Sequence, residues 1–587
     1  MNPTQANSRE YLQRTIDAEI KSLEESARAL KLRRNALSPV SSLPPEVFTT
    51  IFSFVCLPPG KPGHHLSRLH VSHVCHQWRG IALNQPFLWS HVNFTALSSA
   101  GVAEILARAK TVPLYLEGGG HSGRWDRDDA RFGAFQKELQ RRVSRICFLR
   151  LSARPLHLRK TLEGLVSHAP TLEFLSLSTE EYRPRIAVPE TLFGCTTPRL
   201  SCLELDNCDI SWRSSLFKGL RELDMRSPSP EARPTLSVWL ATLGEMPQLE
   251  RLTLHSASPI APPFPFDVER TVTLPSLTHL DISSSVKNCA LALAHLDLPS
   301  LTWLCLRPCI HFPGSDDVQK LLLYVARHAH GPQDTQPLQS ALVLNNVKYI
   351  DILAWTAPDI DVEVHGRHTL LAANPPTRVA LSFTSKDWND YGTRNSIIGM
   401  AMAVLPLDGL VTLIVKNLLS SPFGDAWLPN SPKWPLLRRV RLTHIVVFEF
   451  TRWVLADTGG RENPLLPSLK ELVLVNECLS ELSTLPLRDA LMKRVEQGVP
   501  LEILDLRTCT PFMEYPAVQL LSEIVVNVLG PEETIDARAQ IVSMWDRLAH
   551  GPFVGHDKTE VAYPLDTDDD TSSDIIGDDD DGEVENY

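Results

Sequence analysis

One six-residue phrase, Leu-x-x-Leu-x-Leu with conservative replacements, returns eleven times along this chain. It reads ICFLRL from Ile146, LEFLSL from Leu172, LSCLEL from Leu200, LRELDM from Leu220, LERLTL from Leu249, LTHLDI from Leu277 and LTWLCL from Leu301. After a gap it resumes as LVTLIV from Leu410, LRRVRL from Leu437, LKELVL from Leu469 and LEILDL from Leu501. Starts in the first run lie 26, 28, 20, 29, 28 and 24 residues apart, and in the second 27, 32 and 32. Each phrase suits a short strand whose leucines turn to one side. A unit of this size cannot bury its leucines alone, so neighbouring units must stack to hide them.

A period of twenty to thirty residues with this motif is the signature of leucine-rich repeats, which the middle of the chain resembles. The expected fold class is therefore an α/β repeat: strand plus helix or irregular return, stacked as a solenoid. Unequal periods point to an irregular horseshoe or arc. A generic α/β domain with leucine-rich strands is the alternative, and eleven copies favour the repeat. Degenerate copies stand at SALVLNN (340–346) and RVALSF (378–383). The residues between the leucines, among them Glu204, Arg251, Thr253, Trp303, Lys470 and Glu471, are expected on the exposed strand face, the usual partner-binding surface of stacked repeats. DNC and NEC after two strands resemble the Asn/Cys turn of that class. Two interruptions, 308–339 and 354–376, read as recognition loops or as disorder.

Charge is distributed unevenly. Of a net charge of −12, eleven negative charges sit in the tail 566–587, which holds nine Asp, two Glu and no Lys or Arg. The rest of the chain is close to neutral, so no basic field exists to attract nucleic acid or an anionic membrane. Such a tail repels itself and is expected to be disordered. No apolar run approaches a membrane span, and the polar start MNPTQANSREYLQRT lacks the apolar region of a secretory signal. Eleven scattered cysteines suit reduced, buried thiols rather than a disulfide framework. The expected location is cytoplasmic, nuclear or both.

The N-terminal segment places Ile16, Ile20, Leu23, Ala27, Leu30 and Leu37 on one helical stripe, with Glu24 and Arg28 as an i,i+4 pair on the wet side. Pro39 ends it. A dimerising coiled coil and a lone amphipathic helix, packed on its own protein or frayed, both fit. With Ile16 at an a position, Glu19, Ser26 and Arg33 fall at d, which favours the lone helix.

Four potential metal ligands, His70, His73, Cys75 and His76, crowd the stretch LHVSHVCHQWRG from Leu69. On one helix over 71–82, Val71, Val74, Cys75, Trp78, Ile81 and Ala82 form an apolar stripe, and His73 and His76 lie opposite. Cys75 then cannot join the histidines around one ion, so a wet helix face is favoured over a zinc site. Upstream, Pro45 and Glu46 suit a first helical turn. Val47, Phe48, Ile51, Phe52 and Val55 follow as a broad apolar face that Pro58 and Pro59 end. A second short helix is expected around 66–69. Some forty residues of this kind are marginal alone and call for a partner surface or a neighbouring domain.

This stretch resembles the F-box. That family's pattern is Leu-Pro-x-Glu-(Ile/Val/Leu), then Ile-Phe, then Val-Cys-(Arg/Lys/His)-x-Trp-Arg-x-Ile-Ala. The chain has Leu43-Pro44-Pro45-Glu46-Val47, Ile51-Phe52 and Val74-Cys75-His76-Gln77-Trp78-Arg79-Gly80-Ile81-Ala82, with His76 where Arg or Lys is commoner. The helix before it, and the Pro86-x-Leu88-Trp89 segment after it, resemble the large fungal F-box family. The resemblance implies docking on the Skp-type adaptor of a cullin–RING ubiquitin ligase through Leu43, Pro44, Pro45, Glu46, Val47, Ile51, Phe52, Val74, Cys75 and Trp78.

No phosphate loop, HExxH or GxSxG motif occurs, and the Gly-rich stretch 117–129 lacks the spacing of a nucleotide cradle. The expectation is a protein that is not an enzyme, with no cofactor and no metal, and no nucleic-acid or membrane partner. The segments expected are an N-terminal amphipathic helix (1–38), the F-box (39–94) and a linker or N-terminal cap (95–142). Leucine-rich repeats follow (143–530, insertions around 308–409), then a capping helix (531–565) and the acidic tail (566–587). Together they suggest a substrate-recognition subunit of an SCF-type ligase, its repeats gripping a target protein; the alternative is an interaction scaffold that delivers no ubiquitin.

Overall fold

The leucine phrases become strands. In the computed structural model, residues 3–530 are described apart from 57–66, 96, 120–128, 180–184, 262–269, 311–315, 330–339, 347–349, 356–376, 386–396, 398–399, 402–403, 405–409, 417–433, 444–449, 452–465, 476–477, 480 and 512–516. The capping helix, the acidic tail, most of the Gly-rich stretch and most of the second interruption lie outside them. All described residues belong to the unit Met1–Thr534.

Three parts follow one another. Helix α1 (Pro3–Ala36) comes first. Next come α2 (Pro45–Cys56), α3 (Ser67–His73) and α4 (His76–Leu83). An α/β region follows, with its last described strand at Asn527–Leu529. The expectation that α1 packs on its own body is not met: from Tyr11 to Ala36 every side chain except that of Asn35 is exposed. The expected helix over 71–82 is two helices, because the chain leaves α3 at His73 and Cys75, in extended backbone, starts α4 by accepting the Trp78 N–H on its Sγ at 3.5 Å.

Among the described residues seventeen strands form one sheet, which does not close into a barrel. Nine parallel strands lead: β1 (His91–Asn93), β2 (Leu114–Gly118), β3 (Ile146–Ser152), β4 (Phe174–Ser178), β5 (Cys202–Asp206), β6 (Glu222–Arg226), β7 (Arg251–His255), β8 (His279–Ser285) and β9 (Trp303–Ile310). The next three are β10 (Ser340–Asn346), β11 (Ile350–Trp355) and β12 (Thr377–Ser385). They enter out of chain order: β12 pairs with β9, β11 lies antiparallel between β12 and β10, and β10 meets β13 (Leu410–Lys416). Parallel strands β14 (Arg439–Thr443), β15 (Glu471–Val475), β16 (Ile503–Asp505) and β17 (Asn527–Leu529) complete it.

The register is set by leucine. Leu116, Leu149, Leu175, Leu203, Leu223, Leu252, Leu280 and Leu304 are paired in one row across β2–β9, each at most 1 % exposed. A one-residue slip would turn every one of them to water, so burial holds the register. The same backbone arrangement recurs at seven steps: the carbonyls of Glu173, Ser201, Arg221, Glu250, Thr278, Arg438 and Lys470 each accept two successive N–H groups of the next strand's entry. After β5, β6 and β7 the chain leaves the sheet through Asn207, Ser227 and Ser256, all at left-handed φ of 50–55°. Asn207 belongs to the DNC turn, and its buried Nδ2 donates to the Thr179 carbonyl at 3.2 Å.

Helices fill several of the connections in the first half: α5 (Ser99–Arg108), α6 (Asp129–Arg142), α7 (Pro155–Glu163), α8 (Leu236–Gly244), α9 (Val286–Ala294) and α10 (Asp316–Ala329). The first interruption, read as a recognition loop or disorder, holds α10. Val318, Leu321, Leu322 and Val325 form its buried i, i+3, i+4, i+7 stripe. The sheet also begins before the first leucine phrase, since β1 and β2 extend it back to His91.

One charged cluster is built into this sheet. Asp281 on β8, 7 % exposed, accepts from Arg307 Nη1 at 2.9 Å, and His255 Nε2 lies 3.5 Å away. Burial pushes the Asp281 carboxyl up, but His255 and the Arg307 guanidinium outweigh it and hold the carboxyl below its ordinary range. A lowered carboxyl stabilises the fold above the unfolded pKa of about 3.9, and that contribution disappears as pH falls through the folded value. Asp281→Asn is expected to cost about 2 kcal/mol at pH 7, the usual buried-pair loss reduced for the quarter-exposed Arg307. The gap to wild type should close as pH drops below about 4. Urea denaturation across that range measures both, and equal stability at pH 7 would contradict this assignment.

Candidate docking surfaces

Two helix faces compete for the apolar residues of α2. Pro45 occupies the first turn, where its missing N–H costs nothing, and the Pro44 carbonyl accepts from Val47 and Phe48 at 3.0 and 3.3 Å. Phe48 and Phe52, both without exposed surface, point inward onto Trp78 of α4, with ring centroids 5.5 and 5.2 Å apart from it. Val71 of α3 and Ala82 of α4 close the same core. Trp89, fully buried, donates its indole N–H to the Ala82 carbonyl at 2.9 Å and lies under Arg108 at 4.7 Å, which ties the helices to α5. Gln77 donates to the Ser41 carbonyl at 3.1 Å and fixes the turn before α2 against α4.

Another face of α2 is left without cover among the described residues. Val47, Ile51 and Phe54 recur at i, i+4 and i+7 and are 39, 39 and 79 % exposed. Pro44, Pro45 and Glu46 are exposed at the start of the helix, and Val74 is exposed at the break between α3 and α4. Leu43, Cys75 and Trp78 are half-buried. The ten residues expected to meet an adaptor thus separate. Six offer surface, three offer an edge, and Phe52 belongs to the interior and leaves the set. Phe54, not among the ten, shares the exposed face, and its seven-residue spacing from Val47 is the signal that marks it. His73 ends α3, His76 begins α4 and both are exposed. Among the described residues no three His, Cys, Asp or Glu side chains come together as a metal would require.

A second surface runs across the sheet. The residue before the central leucine of each phrase forms one paired row: His91, Tyr115, Phe148, Phe174, Cys202, Glu222, Arg251, His279 and Trp303. Its first half is aromatic: His91 stacks on Tyr115 at 4.1 Å and Phe148 on Phe174 at 4.1 Å, with Arg150 over both phenyl rings at 5.4 and 5.2 Å. None of the nine is buried. Burial and the neighbouring Cys147 push the Tyr115 hydroxyl up to about 12, so it stays protonated. Burial and Arg251 lower His279, keeping its ring neutral at pH 7. Burial and three nearby carboxylates push the Cys202 thiol up to about 12, which removes it as a nucleophile. The row thus exposes aromatic rings beside a protonated tyrosine, a neutral imidazole and a protonated thiol. Sequence reading found Trp303 and Arg251 there but not Tyr115, Phe148 or Phe174.

Residues 40–95 match the F-box-like family. No curated protein matches the chain. The matched segment is the three-helix core around Phe48, Phe52 and Trp78 with the Trp89 clasp, so the chain carries an F-box-like domain, the kind of domain that typically docks on Skp-type adaptors in SCF complexes.

Phe52→Ala is expected to destabilise this domain by about 3–5 kcal/mol, and Phe54→Ser to change it by less than about 0.5 kcal/mol. Hydrogen exchange read by mass spectrometry on peptides from 45–94 distinguishes the two: exchange rises in the first variant and stays at the wild-type level in the second.

Proposed function

We propose that this chain is the target-recognition subunit of an SCF-type cullin–RING ubiquitin ligase. The observation that carries the reading is the exposed Val47–Ile51–Phe54 face inside the segment that matches the F-box-like family. Each of these side chains contributes about 1.5–3 kcal/mol when covered by a partner, before association costs are subtracted. Leu43, Pro44, Pro45, Glu46, Val74, Cys75 and Trp78 frame that face.

The α/β region is the target-binding part and is a leucine-rich-repeat solenoid of irregular period. In support of this stand the leucine row in register and the repeated two-donor carbonyl at successive strand entries. Its grip is the row from His91 to Trp303, where rigid aromatic side chains and Arg150 provide anchors of the kind that dominate protein interfaces. The chain makes and breaks no bond and needs no cofactor. It works by proximity, holding a target's lysines near the activated ubiquitin, in the cytoplasm, the nucleus or both.

Val47→Glu with Ile51→Glu is expected to weaken capture of a Skp-type adaptor by the full chain at least ~100-fold, since two charges would have to be buried unpaired. Unchanged capture would contradict the reading. Phe148→Ala with Phe174→Ala should keep the adaptor and lose co-captured target in affinity purification from cells. Ubiquitination of that target, lost with the α2 variant, separates a receptor from a scaffold that delivers no ubiquitin.

A further inference from the structure

Helix α1 carries an apolar stripe into solvent. Ile16, Ile20, Leu23 and Leu30 are 55, 49, 64 and 65 % exposed, and Leu37 just beyond the helix is 85 % exposed. A 34-residue helix with that face uncovered lacks the tertiary packing that usually stabilises helices in water. The register with Ile16 at a puts polar residues at d. Shifting it so that Ile16, Leu23, Leu30 and Leu37 occupy d places Ile20 and Ala27 at a, leaving Gln13 and Arg34, with Arg9 near the helix start, as polar seam positions.

In this register the flanking charges select both the partner and its direction. The e positions read Asp17, Glu24 and Lys31, and the g positions Glu19, Ser26 and Arg33: acidic in the first half, basic in the second. A parallel pair would set Glu19 against Glu24 twice and Arg34 against Arg34. An antiparallel pair of identical helices does the reverse. Its seam layers match Ile16 with Arg34, Ile20 with Leu30 and Leu23 with Ala27, each twice. Asp17 then faces Lys31, and Glu19 faces Arg33, again twice each. The single like-charge meeting, Glu24 with its own copy, is relieved by Arg28, which lies 3.7 Å from Glu24 on the same helix.

We propose that α1 pairs with α1 of a second copy of this chain as an antiparallel two-stranded coiled coil. The two Leu37 residues then stand about 36 Å apart along the coil, from a rise of 1.5 Å per residue. The α2 faces leave opposite ends, so neither blocks the other. The assembly presents two docking segments and two recognition rows, and a target with two sites is held by avidity.

Sedimentation velocity of the purified full chain at about 50 µM tests this. Wild type is expected to sediment as a dimer. Leu23→Glu with Leu30→Glu should sediment as a monomer with the sheet's circular dichroism intact. Lys31→Glu with Arg33→Glu gives an all-acidic flank, and Asp17→Lys with Glu19→Lys a mostly basic one. Each should weaken self-association at least ~10-fold, and mixing the two should restore a dimer. A dimer of the acidic variant as stable as wild type would indicate a parallel coil and overturn the proposal. A wild-type monomer would overturn it too and leave the stripe to a different protein. So would a dimer indifferent to Leu23→Glu with Leu30→Glu, which would place the contact elsewhere.

Discussion

Each strand of this chain depends on the next to keep its leucines dry. The central leucines of β2–β9 are at most 1 % exposed, each standing in register beside the leucine of the neighbouring strand. That dependence fixes the pleat and, through the pleat, everything on the other face. If Leu149 and Leu175 must point in, then Phe148 and Phe174 must point out and stack. The aromatic row is thus a consequence of leucine burial combined with the choice of residue beside each leucine.

The same division of faces governs the F-box-like domain at a smaller scale. Helix α2 has too many large apolar residues for one side. Phe48 and Phe52 close the core over Trp78, while Val47, Ile51 and Phe54 stay exposed among the described residues. A domain of three short helices has little interior to offer, so the surplus remains at the surface. Trp89 links the two scales: its indole bonds to Ala82 of α4, its ring carries Arg108 of α5, and β1 begins two residues later. The three helices, and the exposed face of α2 with them, are thereby anchored to the start of the sheet.

Much of this was legible in sequence because burial leaves periodic marks. From Leu172 to Leu301 and from Leu437 to Leu501, each leucine phrase yields a strand that opens on its third residue. What escaped lacked the mark. β1 and β2 have no leading leucine, and β11 arrives as an antiparallel insertion that no period announces. The break in the 71–82 helix turned on a single side chain, Cys75, acting as a cap, which periodicity does not register. Among the docking residues, type was readable but depth was not: Phe52 and Ile51 are adjacent and equally apolar, yet one is sealed and the other is 39 % exposed.

The central claim is that the outer face of α2 meets a Skp-type adaptor while the sheet stays free for a target. Hydrogen exchange of the full chain with and without saturating adaptor tests it most directly. The account predicts slowed exchange confined to 43–56 and 74–79, with the strands from β2 to β9 unchanged. Protection on the sheet and none on α2, or no protection at all, would contradict it.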